Sequence, residues 1–228
     1  AAYAVIEATA RLVAAGSDWS KARFSYQEYF ERMDKQAERF GQPVSALLGS
    51  IEAQIQLGLP SIGGKDSMSG TFEELTVPPT LVAFGVTTST AGRILSPEFK
   101  AAGESIYYLP GQILSQDIDF DLIKNNFENF ADVQAKYEIT AAAAVKYGGL
   151  AESLALMSFG NRIGAQVDVA ELPSVLQAQL GGFVFTSPEQ DIPGAVKIGQ
   201  TKPDFTLIVN GVQLEGAELL ASFEGRLE

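Results

Sequence analysis

Apolar residues recur at helical spacing in the first segment, AAYAVIEATARLVAAG, where Val5, Ile6, Leu12 and Val13 share one side. This spacing predicts an amphipathic helix, and Gly16 is a suitable residue to end it. No Ser, Thr, Asp or Asn precedes the helix to cap its first turn, and no initiator methionine opens the sequence. We therefore expect the sequence to begin inside a helix of a longer chain.

Two further helices are predicted in the next part of the chain. In SYQEYFERMDKQAERFG the aromatic residues follow a helical period, and Ser25 with Glu28 forms the pattern of a capping box. In PVSALLGSIEAQIQLG the helix is expected to begin at Pro43 and to end at Gly58. This helix carries an apolar stripe, which is typical of a core-facing side. The stripe consists of Leu47, Leu48, Ile51 and Ile55.

The remaining sequence mixes strand patterns with helix patterns. TLVAFGVTTST predicts a buried strand because it is rich in β-branched and aromatic residues, and SIYYLPG, GGFVFTS and DFTLIVNGVQL predict others. The last of these contains a hairpin turn at Asn210 and Gly211. Helices and strands follow one another at irregular spacing, which predicts an α+β (mixed α/β) fold. The residue pattern changes near Pro97, in GRILSPEFKAAGE, and this change predicts two domains, 1–96 and 97–228.

The charge balance limits the partners. The chain has 16 basic and 28 acidic residues, and a net charge of −12 repels a nucleic acid. Its apolar stretches of about ten residues fall short of the roughly 20 that a membrane helix needs. With no cysteine and no histidine, the chain has no disulfide, no thiolate or imidazole chemistry, and a composition that fits the cytoplasm. We expect no nucleic-acid and no membrane partner, whereas a small anion such as ATP remains compatible with the charge.

The segment LPSIGGKDSMSGTF combines residue types that suit a nucleotide site. Gly63 and Gly64 let the backbone approach a ligand, Lys65 offers charge to a phosphate, and Asp66 can hold Mg²⁺. The segment is not a Walker A loop, because Asp rather than Ser or Thr follows Gly-Lys. A solvated turn between a helix and a strand is the alternative interpretation, and the residue types alone leave both open.

The run from Gly63 to Ser69 followed by VPPTLVAFGV resembles the signature of the phosphoribosylformylglycinamidine synthases. FSYQEYFERM, ILSPEFK and VKYGGLAESLALMSFGNRIG are also similar to segments of the long single-chain form of that family. The resemblance is strongest over 43–100 and 139–164. It implies most of the second synthetase module of an enzyme in the aminoimidazole ribonucleotide synthetase superfamily, with a truncated N-terminal subdomain followed by an α/β C-terminal subdomain.

This resemblance also implies a reaction and a site. Members convert formylglycinamide ribonucleotide, glutamine and ATP to formylglycinamidine ribonucleotide, ADP, phosphate and glutamate, with ammonia supplied by a glutaminase domain. The partners implied are that glutaminase and the first synthetase module, and the cofactors are ATP or ADP with Mg²⁺. The implied nucleotide-binding residues are Gly63, Gly64, Lys65, Asp66 and Ser67, with Asp66 as the metal ligand.

One position departs from the family pattern. Many superfamily members have Asp before the Gly-Gly-Leu that opens a C-terminal helix, whereas VKYGGLAE has Tyr147 there. A phenol is a poor Mg²⁺ ligand, so this module is expected to bind nucleotide weakly, without metal, or not at all, unless Glu152 substitutes. Two functions remain open: an ATP-binding module, and a non-catalytic structural or docking module. A thiamine monophosphate kinase or selenophosphate synthetase is a third, which fits the glycine segment poorly.

Several smaller expectations complete the sequence reading. The isolated chain should be inactive, because the glutaminase and the first module are missing, and it should form a homodimer through exposed strand surface. Trp19, Phe127 and Phe130 are interpreted as packing residues. The acidic run from Asp117 to Asp121 is interpreted as a solvated turn, because it lacks the glycine and distal Glu of a calcium loop.

Overall fold

The computed structural model describes residues 1–115, 117–169 and 175–225. The chain forms two compact units, Ala1–Leu12 with Ser17–Ser89, and Val13–Gly16 with Thr90–Glu228. Helices and strands are mixed in both units, so the predicted α+β class is confirmed. Within the described residues, no helix has both the length and the apolar character needed to cross a membrane.

The first unit combines two helices with a small sheet and a short hairpin. In chain order its elements are α1 (Ala2–Ala14), β1 (Arg23–Tyr29), α2 (Ala37–Leu57), β2 (Ser61–Ser67), β3 (Thr71–Phe72), β4 (Leu75–Thr76) and β5 (Thr80–Val86). The sheet has the order β2-β1-β5, with β2 parallel and β5 antiparallel to β1. Among the described strands, β3 and β4 pair only with each other.

Helix α1 confirms the first predicted helix. Its residues Val5, Ile6 and Ala10 are buried on one side, at the spacing that predicted an amphipathic helix. The chain leaves α1 through Gly16, whose φ of 79° is accessible to glycine at little cost. The site is crowded as well, because a Cβ at Gly16 would lie 2.4 Å from the carbonyl oxygen of Arg93.

The second predicted helix is wrong over its first half. Residues 23–29 form strand β1 rather than a helix, and Ser25 and Glu28 therefore do not form a capping box. The apolar side chains of β1 alternate instead, since Phe24 and Phe30 are buried on the face that also carries Glu28. An acidic residue at an inward position hides the two-residue period that would have predicted a strand.

Helix α2 begins earlier than predicted and turns its apolar stripe outward. It starts at Ala37, so Pro43 lies inside the helix rather than at its start. Gly58 ends it in the left-handed conformation, as predicted. Its buried positions are Pro43, Ser50, Ala53 and Leu57. The stripe predicted to face the core is exposed in this chain; its members are Leu47, Leu48, Ile51 and Ile55.

Strand β5 confirms the strand predicted in TLVAFGV, but the strand is not buried. On one face Gly85 lies against Leu12 and Phe24, so α1 covers that side. On the opposite face Phe84 is 57% exposed and Val86 is 66% exposed. The first unit therefore presents apolar sheet surface to its surroundings.

The second unit is built on a larger sheet with helices on both faces. Its elements are β6 (Ser105–Leu109), β7 (Gln112–Ile113), α3 (Phe120–Lys136), β8 (Ala141–Val145), α4 (Gly149–Phe159), β9 (Gly164–Val167), β10 (Gln179–Leu180), β11 (Gly182–Ser187), β12 (Val196–Lys202), β13 (Thr206–Val209), β14 (Val212–Glu215) and α5 (Gly216–Glu224). The sheet has seven strands in the order β14-β13-β9-β12-β6-β11-β8. It is antiparallel apart from the parallel pair β13 and β9.

Aromatic packing joins α3 to one face of this sheet. Phe130 stacks on Phe183 with ring centroids 4.6 Å apart and lies 4.9 Å from Phe185. Phe127 meets Phe183 edge to face at 6.0 Å. The interpretation of Phe127 and Phe130 as packing residues is confirmed. On the other face α4 buries its own apolar side chains against the sheet; these are Leu150, Leu154 and Met157.

Two turns in the second unit follow their sequence signals. Asn210 and Gly211 have φ of 51° and 80° and join β13 to β14, so the predicted hairpin is confirmed. In the acidic run, Asp119 caps α3 by accepting a hydrogen bond from the amide of Leu122 at 2.9 Å. That carboxylate therefore begins a helix, a role that its position before the apolar period of α3 explains.

Candidate functional site

The segment that carries the proposed nucleotide residues is a strand, not a loop. Residues Gly63 to Ser67 lie in β2 and pair in parallel with β1 from Ser25 to Tyr29. Because β2 has only β1 as a neighbour in the described sheet, it is an edge strand with one side of its backbone unpaired by strands. A ligand can therefore approach the backbone from the side opposite β1.

The two glycines of β2 have different surroundings. A Cβ at Gly64 would lie 2.9 Å from the carbonyl oxygen of Tyr26, closer than a side chain tolerates. A Cβ at Gly63 would have no heavy atom within 4 Å. Gly64 is thus explained by the close approach of two strands, whereas nothing in the packing of the chain requires glycine at position 63.

Lys65 and Asp66 point to opposite faces of the sheet, since side chains alternate along a strand. Lys65 shares its face with Ser67, and its Nζ donates a hydrogen bond to Ser67 Oγ at 2.7 Å. Asp66 is paired in register with Glu28 of β1 and shares a face with it. The structure brings Lys65 together with Ser67, and Asp66 together with Glu28, but it does not put all four side chains on one face.

Glu28 lies beside the candidate residue Asp66 and was not predicted from the sequence. Glu28 is only 5% exposed, and its Oε1 has no hydrogen-bond partner. Burial raises the pKa of Glu28, the nearby Asp66 carboxylate raises it further, and the amino group of Ala1 acts in the opposite direction. The signal was the alternation of Phe24, Tyr26 and Glu28 in FSYQEYF, which the helix interpretation concealed.

Tyr26 adds a second unsatisfied group to the same face of β1. Its hydroxyl is buried without a hydrogen-bond partner, and burial raises the pKa of Tyr26 to about 12. The ring stacks on Phe24 with centroids 6.0 Å apart. Two neighbouring inward positions of β1 therefore carry oxygen atoms that the described protein leaves without hydrogen bonds, which is an uncommon arrangement for a buried sheet face.

The carboxylate oxygens of Glu28 and Asp66 suit a small hard cation with few protein ligands. Among the described residues, no group of three or more acidic side chains is arranged to hold a metal ion. Asp66 and Glu28 form a pair, and Mg²⁺ is commonly held by one or two carboxylates with water and phosphate oxygens completing its shell. The donor chemistry around Asp66 therefore fits the metal that the resemblance implies.

The Tyr147 turn lies in the second unit and has a structure of its own. Tyr147 is 72% exposed in the turn between β8 and α4. Glu152 Oε2 accepts a hydrogen bond from the amide of Gly148 at 3.0 Å, and Lys146 Nζ lies 3.7 Å from Glu152 Oε1. Both oxygens of Glu152 thus have partners within this turn, which argues against its replacing the missing carboxylate as a metal ligand.

Gly149 in this turn is explained by its conformation and by packing. Its φ is 67°, and a Cβ there would lie 2.5 Å from the carbonyl oxygen of Val175. The amide of Ala151 also donates a hydrogen bond to that carbonyl at 2.9 Å. Gly149 therefore allows the chain near Val175 to cross the start of α4.

Comparison with known proteins identifies related chains. No family model matches the sequence. An alignment of 168 residues, covering 64% of this chain and 23% of the relative, is 29% identical to phosphoribosylformylglycinamidine synthase subunit PurL of Pyrobaculum aerophilum. The structure of Thermotoga maritima PurL complexed with AMPPCP has a TM-score of 0.73 and 14% identity, over 96% of this chain and 40% of that one.

The same fold occurs in a second kind of protein. Thiamine monophosphate kinase of Aquifex aeolicus has a TM-score of 0.58 and 12% identity, over 93% of this chain and 83% of that one. The present chain spans only 23% of the curated PurL relative and 40% of the Thermotoga maritima chain. The predicted resemblance to PurL is confirmed, and the chain is similar to PurL in sequence and shares its fold.

Proposed function

We propose that this chain is part of a phosphoribosylformylglycinamidine synthase, and that its first unit binds an adenine nucleotide at strand β2. The parent reaction would convert formylglycinamide ribonucleotide, glutamine and ATP to formylglycinamidine ribonucleotide, ADP, phosphate and glutamate. The observation that carries the proposal is the Gly63 to Ser67 segment on an exposed sheet edge, in a chain whose fold resembles a PurL complexed with AMPPCP. The chain would belong to the second synthetase module of the long single-chain form.

The roles proposed for the chain's own residues follow from their positions. Gly63 has open space where a side chain would project, so a phosphate could approach the backbone there. Lys65, held by Ser67 on one face, places a positive charge near the same edge. Asp66 offers a carboxylate on the other face. Mg²⁺, when bound, would offset phosphate charge there, and phosphoryl transfer depends mostly on such positioning and charge.

Isothermal titration with ATP and ADP tests this site directly. Lys65→Ala should weaken nucleotide binding with Mg²⁺ and with chelator, by about tenfold or more, since a charge-assisted hydrogen bond contributes roughly 1.5–3 kcal/mol. Lys35→Ala removes an exposed lysine elsewhere in the first unit and serves as the matched control. Asp66→Ala should weaken binding only when Mg²⁺ is present. Equal affinities for Lys65→Ala and Lys35→Ala would contradict a nucleotide site at β2.

The Tyr147→Asp variant tests whether the turn before α4 contributes to nucleotide binding. If a carboxylate at this position is what the module lacks, the variant should strengthen Mg²⁺-dependent ADP binding, since a carboxylate is a harder oxygen ligand than a phenol. Binding that does not change would instead indicate that the turn is structural. The measurement is the same titration with and without chelator.

A non-catalytic docking role is the second candidate, and the exposed apolar surface of the first unit favours it. Phe84 and Val86 of β5 are largely exposed, as is the stripe on α2 that includes Leu48 and Ile55. Apolar area left in water is unfavourable by about 25 cal/mol per Å². We propose that another synthetase module covers this surface in the parent enzyme, and that a second copy covers it in the isolated chain as a homodimer.

Two measurements separate these roles. Light scattering should show a dimer or larger assembly at micromolar concentrations, and a stable monomer would count against docking through this surface. The 228 residues by themselves should form no formylglycinamidine ribonucleotide with glutamine or free ammonia, because the proposed reaction needs a glutaminase and a first synthetase module in addition to them. Ammonia-dependent turnover by this chain alone would contradict that assignment.

A further inference from the structure

Glu28 and Asp66 are direct neighbours across the junction of β1 and β2. The two strands run in parallel, and their register pairs Glu28 with Asp66. Paired residues on adjacent strands project their side chains to the same face, with the backbones about 4.8 Å apart. Two carboxylates therefore share a small volume at the edge of the sheet.

No described side chain neutralises this pair. The ion pairs of the first unit involve other acidic residues, and neither Glu28 nor Asp66 forms one. Glu28 is 5% exposed, and its Oε1 accepts no hydrogen bond. The amino group of Ala1 acts on Glu28, but Glu28 Oε1 still accepts no hydrogen bond and Asp66 adds a second negative charge. A buried carboxylate in this setting is unfavourable, which favours a positive ligand on the side where Asp66 is exposed.

We propose that Glu28 and Asp66 together bind one divalent cation of the Mg²⁺ and Mn²⁺ class, with Glu28 as the buried ligand. The inference rests on the proposed function in that the cation would serve the nucleotide at β2, and it extends that function by adding a ligand from β1. Two carboxylates leave several positions of an octahedral ion for water and phosphate oxygens. Such a shell is typical of cations that accompany a nucleotide.

The geometry explains why each carboxylate has its own environment. Glu28 lies on β1, the central strand of the sheet, whose backbone is hydrogen-bonded to a strand on each side. Asp66 lies on the edge strand and is exposed, so it can admit the ion and its water ligands. A rigid inner ligand with an accessible outer ligand gives the ion an entry path without rearrangement of the sheet.

Mn²⁺ binding to the 228-residue chain without nucleotide tests the pair. The free-Mn²⁺ signal in electron paramagnetic resonance gives the affinity of the parent and of Glu28→Gln and Asp66→Asn, both nearly isosteric. Each substitution should weaken binding by about tenfold or more, because each removes one anionic ligand. Glu52→Gln is the matched control, since Glu52 is an exposed acid of α2 that accepts from Gln56 at 2.8 Å.

Acetylation of Ala1 tests the effect of its amino group, a positive charge that acts on Glu28. Acetylation removes the charge of the amino group, so a cation site at Glu28 should bind Mn²⁺ at least as tightly afterwards. Trp19 fluorescence checks that each variant keeps the first unit folded. If Glu28→Gln unfolds, the exposed Asp66→Asn carries the same test, because its expected loss of Mn²⁺ affinity is the same.

The outcomes separate this inference from the proposed function. Mn²⁺ affinity that is unchanged in Glu28→Gln or in Asp66→Asn would overturn the shared site. Nucleotide affinity in chelator depends on Lys65 and not on the cation. A Lys65-dependent nucleotide site without Mn²⁺ binding would therefore overturn the inference alone, whereas Mn²⁺ binding without any Lys65-dependent nucleotide affinity would overturn the proposed function.

Discussion

Replacing Gly64 with alanine tests whether the glycine segment is a strand packed against β1. The new Cβ would lie 2.9 Å from the carbonyl oxygen of Tyr26 and 3.4 Å from its amide nitrogen. Both are backbone atoms that cannot rotate away, so β1 and β2 must separate locally. Overpacking of this kind is destabilising by about 1–3 kcal/mol. We expect Gly64→Ala to lower the free energy of unfolding of the first unit by that amount.

The neighbouring glycine is the matched control. A Cβ at Gly63 would meet no heavy atom within 4 Å. Alanine is also favoured over glycine within a strand by roughly 0.5–1 kcal/mol, because less backbone freedom is lost on folding. Gly63→Ala should therefore leave stability unchanged or raise it slightly, while nucleotide binding at the strand edge should weaken if the ligand approaches this position.

Urea unfolding followed by Trp19 fluorescence measures both variants. Trp19 is the single tryptophan of the chain and lies half-buried in the first unit. The midpoint for Gly64→Ala should fall clearly below that of the parent, and the midpoint for Gly63→Ala should not. Equal midpoints for the two variants would refute the reasoning, since they would show that Gly64 is not constrained by β1.

Two other predictions concern the core and the acidic pair. Phe130→Ala should destabilise the second unit by about 3–5 kcal/mol in calorimetry, because it removes a fully buried ring. Phe223→Ala, at a position 50% exposed, should change stability much less; similar losses would contradict the aromatic core. The prediction for the acidic pair is for the chain with chelator present. Because the pKa of Glu28 is raised, the folded chain binds the proton of the Glu28 carboxyl group more tightly than the unfolded chain does. Stability should therefore fall as pH rises above the ordinary glutamate value of 4.5, and Glu28→Gln should flatten that fall; an unchanged pH profile would contradict it.

Elements with a clear local signal in the sequence, such as a helical spacing of apolar residues or a turn dipeptide, could be predicted. Helix α1 and the hairpin at Asn210 and Gly211 have local signals that tertiary packing does not oppose. Strand β8 shows the limit, because AAAAV has the composition of a helix and becomes a strand between buried layers. Alanine lacks the bulk that would indicate a strand, so only the surrounding sheet determines its conformation.

The sequence indicated which segment carries the candidate site, but it did not predict how the side chains of that segment are oriented. The residue types of Gly63 to Ser67 and their resemblance to a known signature identified the segment. The opposite orientations of Lys65 and Asp66 depend on strand alternation, which the loop interpretation did not provide. Glu28 comes next to the candidate residue Asp66 only through the β1 and β2 register, a contact between residues distant in sequence.

The edge position of β2 has a consequence for solubility. An exposed edge strand offers unpaired amide and carbonyl groups to any other extended chain, and proteins commonly block such pairing with charged side chains. Lys65 and Asp66 place one charge on each face of this edge. Variants that neutralise both would remove that protection and favour strand-to-strand self-association. A loss of nucleotide binding in such variants therefore has to be compared with their degree of aggregation before it is attributed to a lost ligand contact.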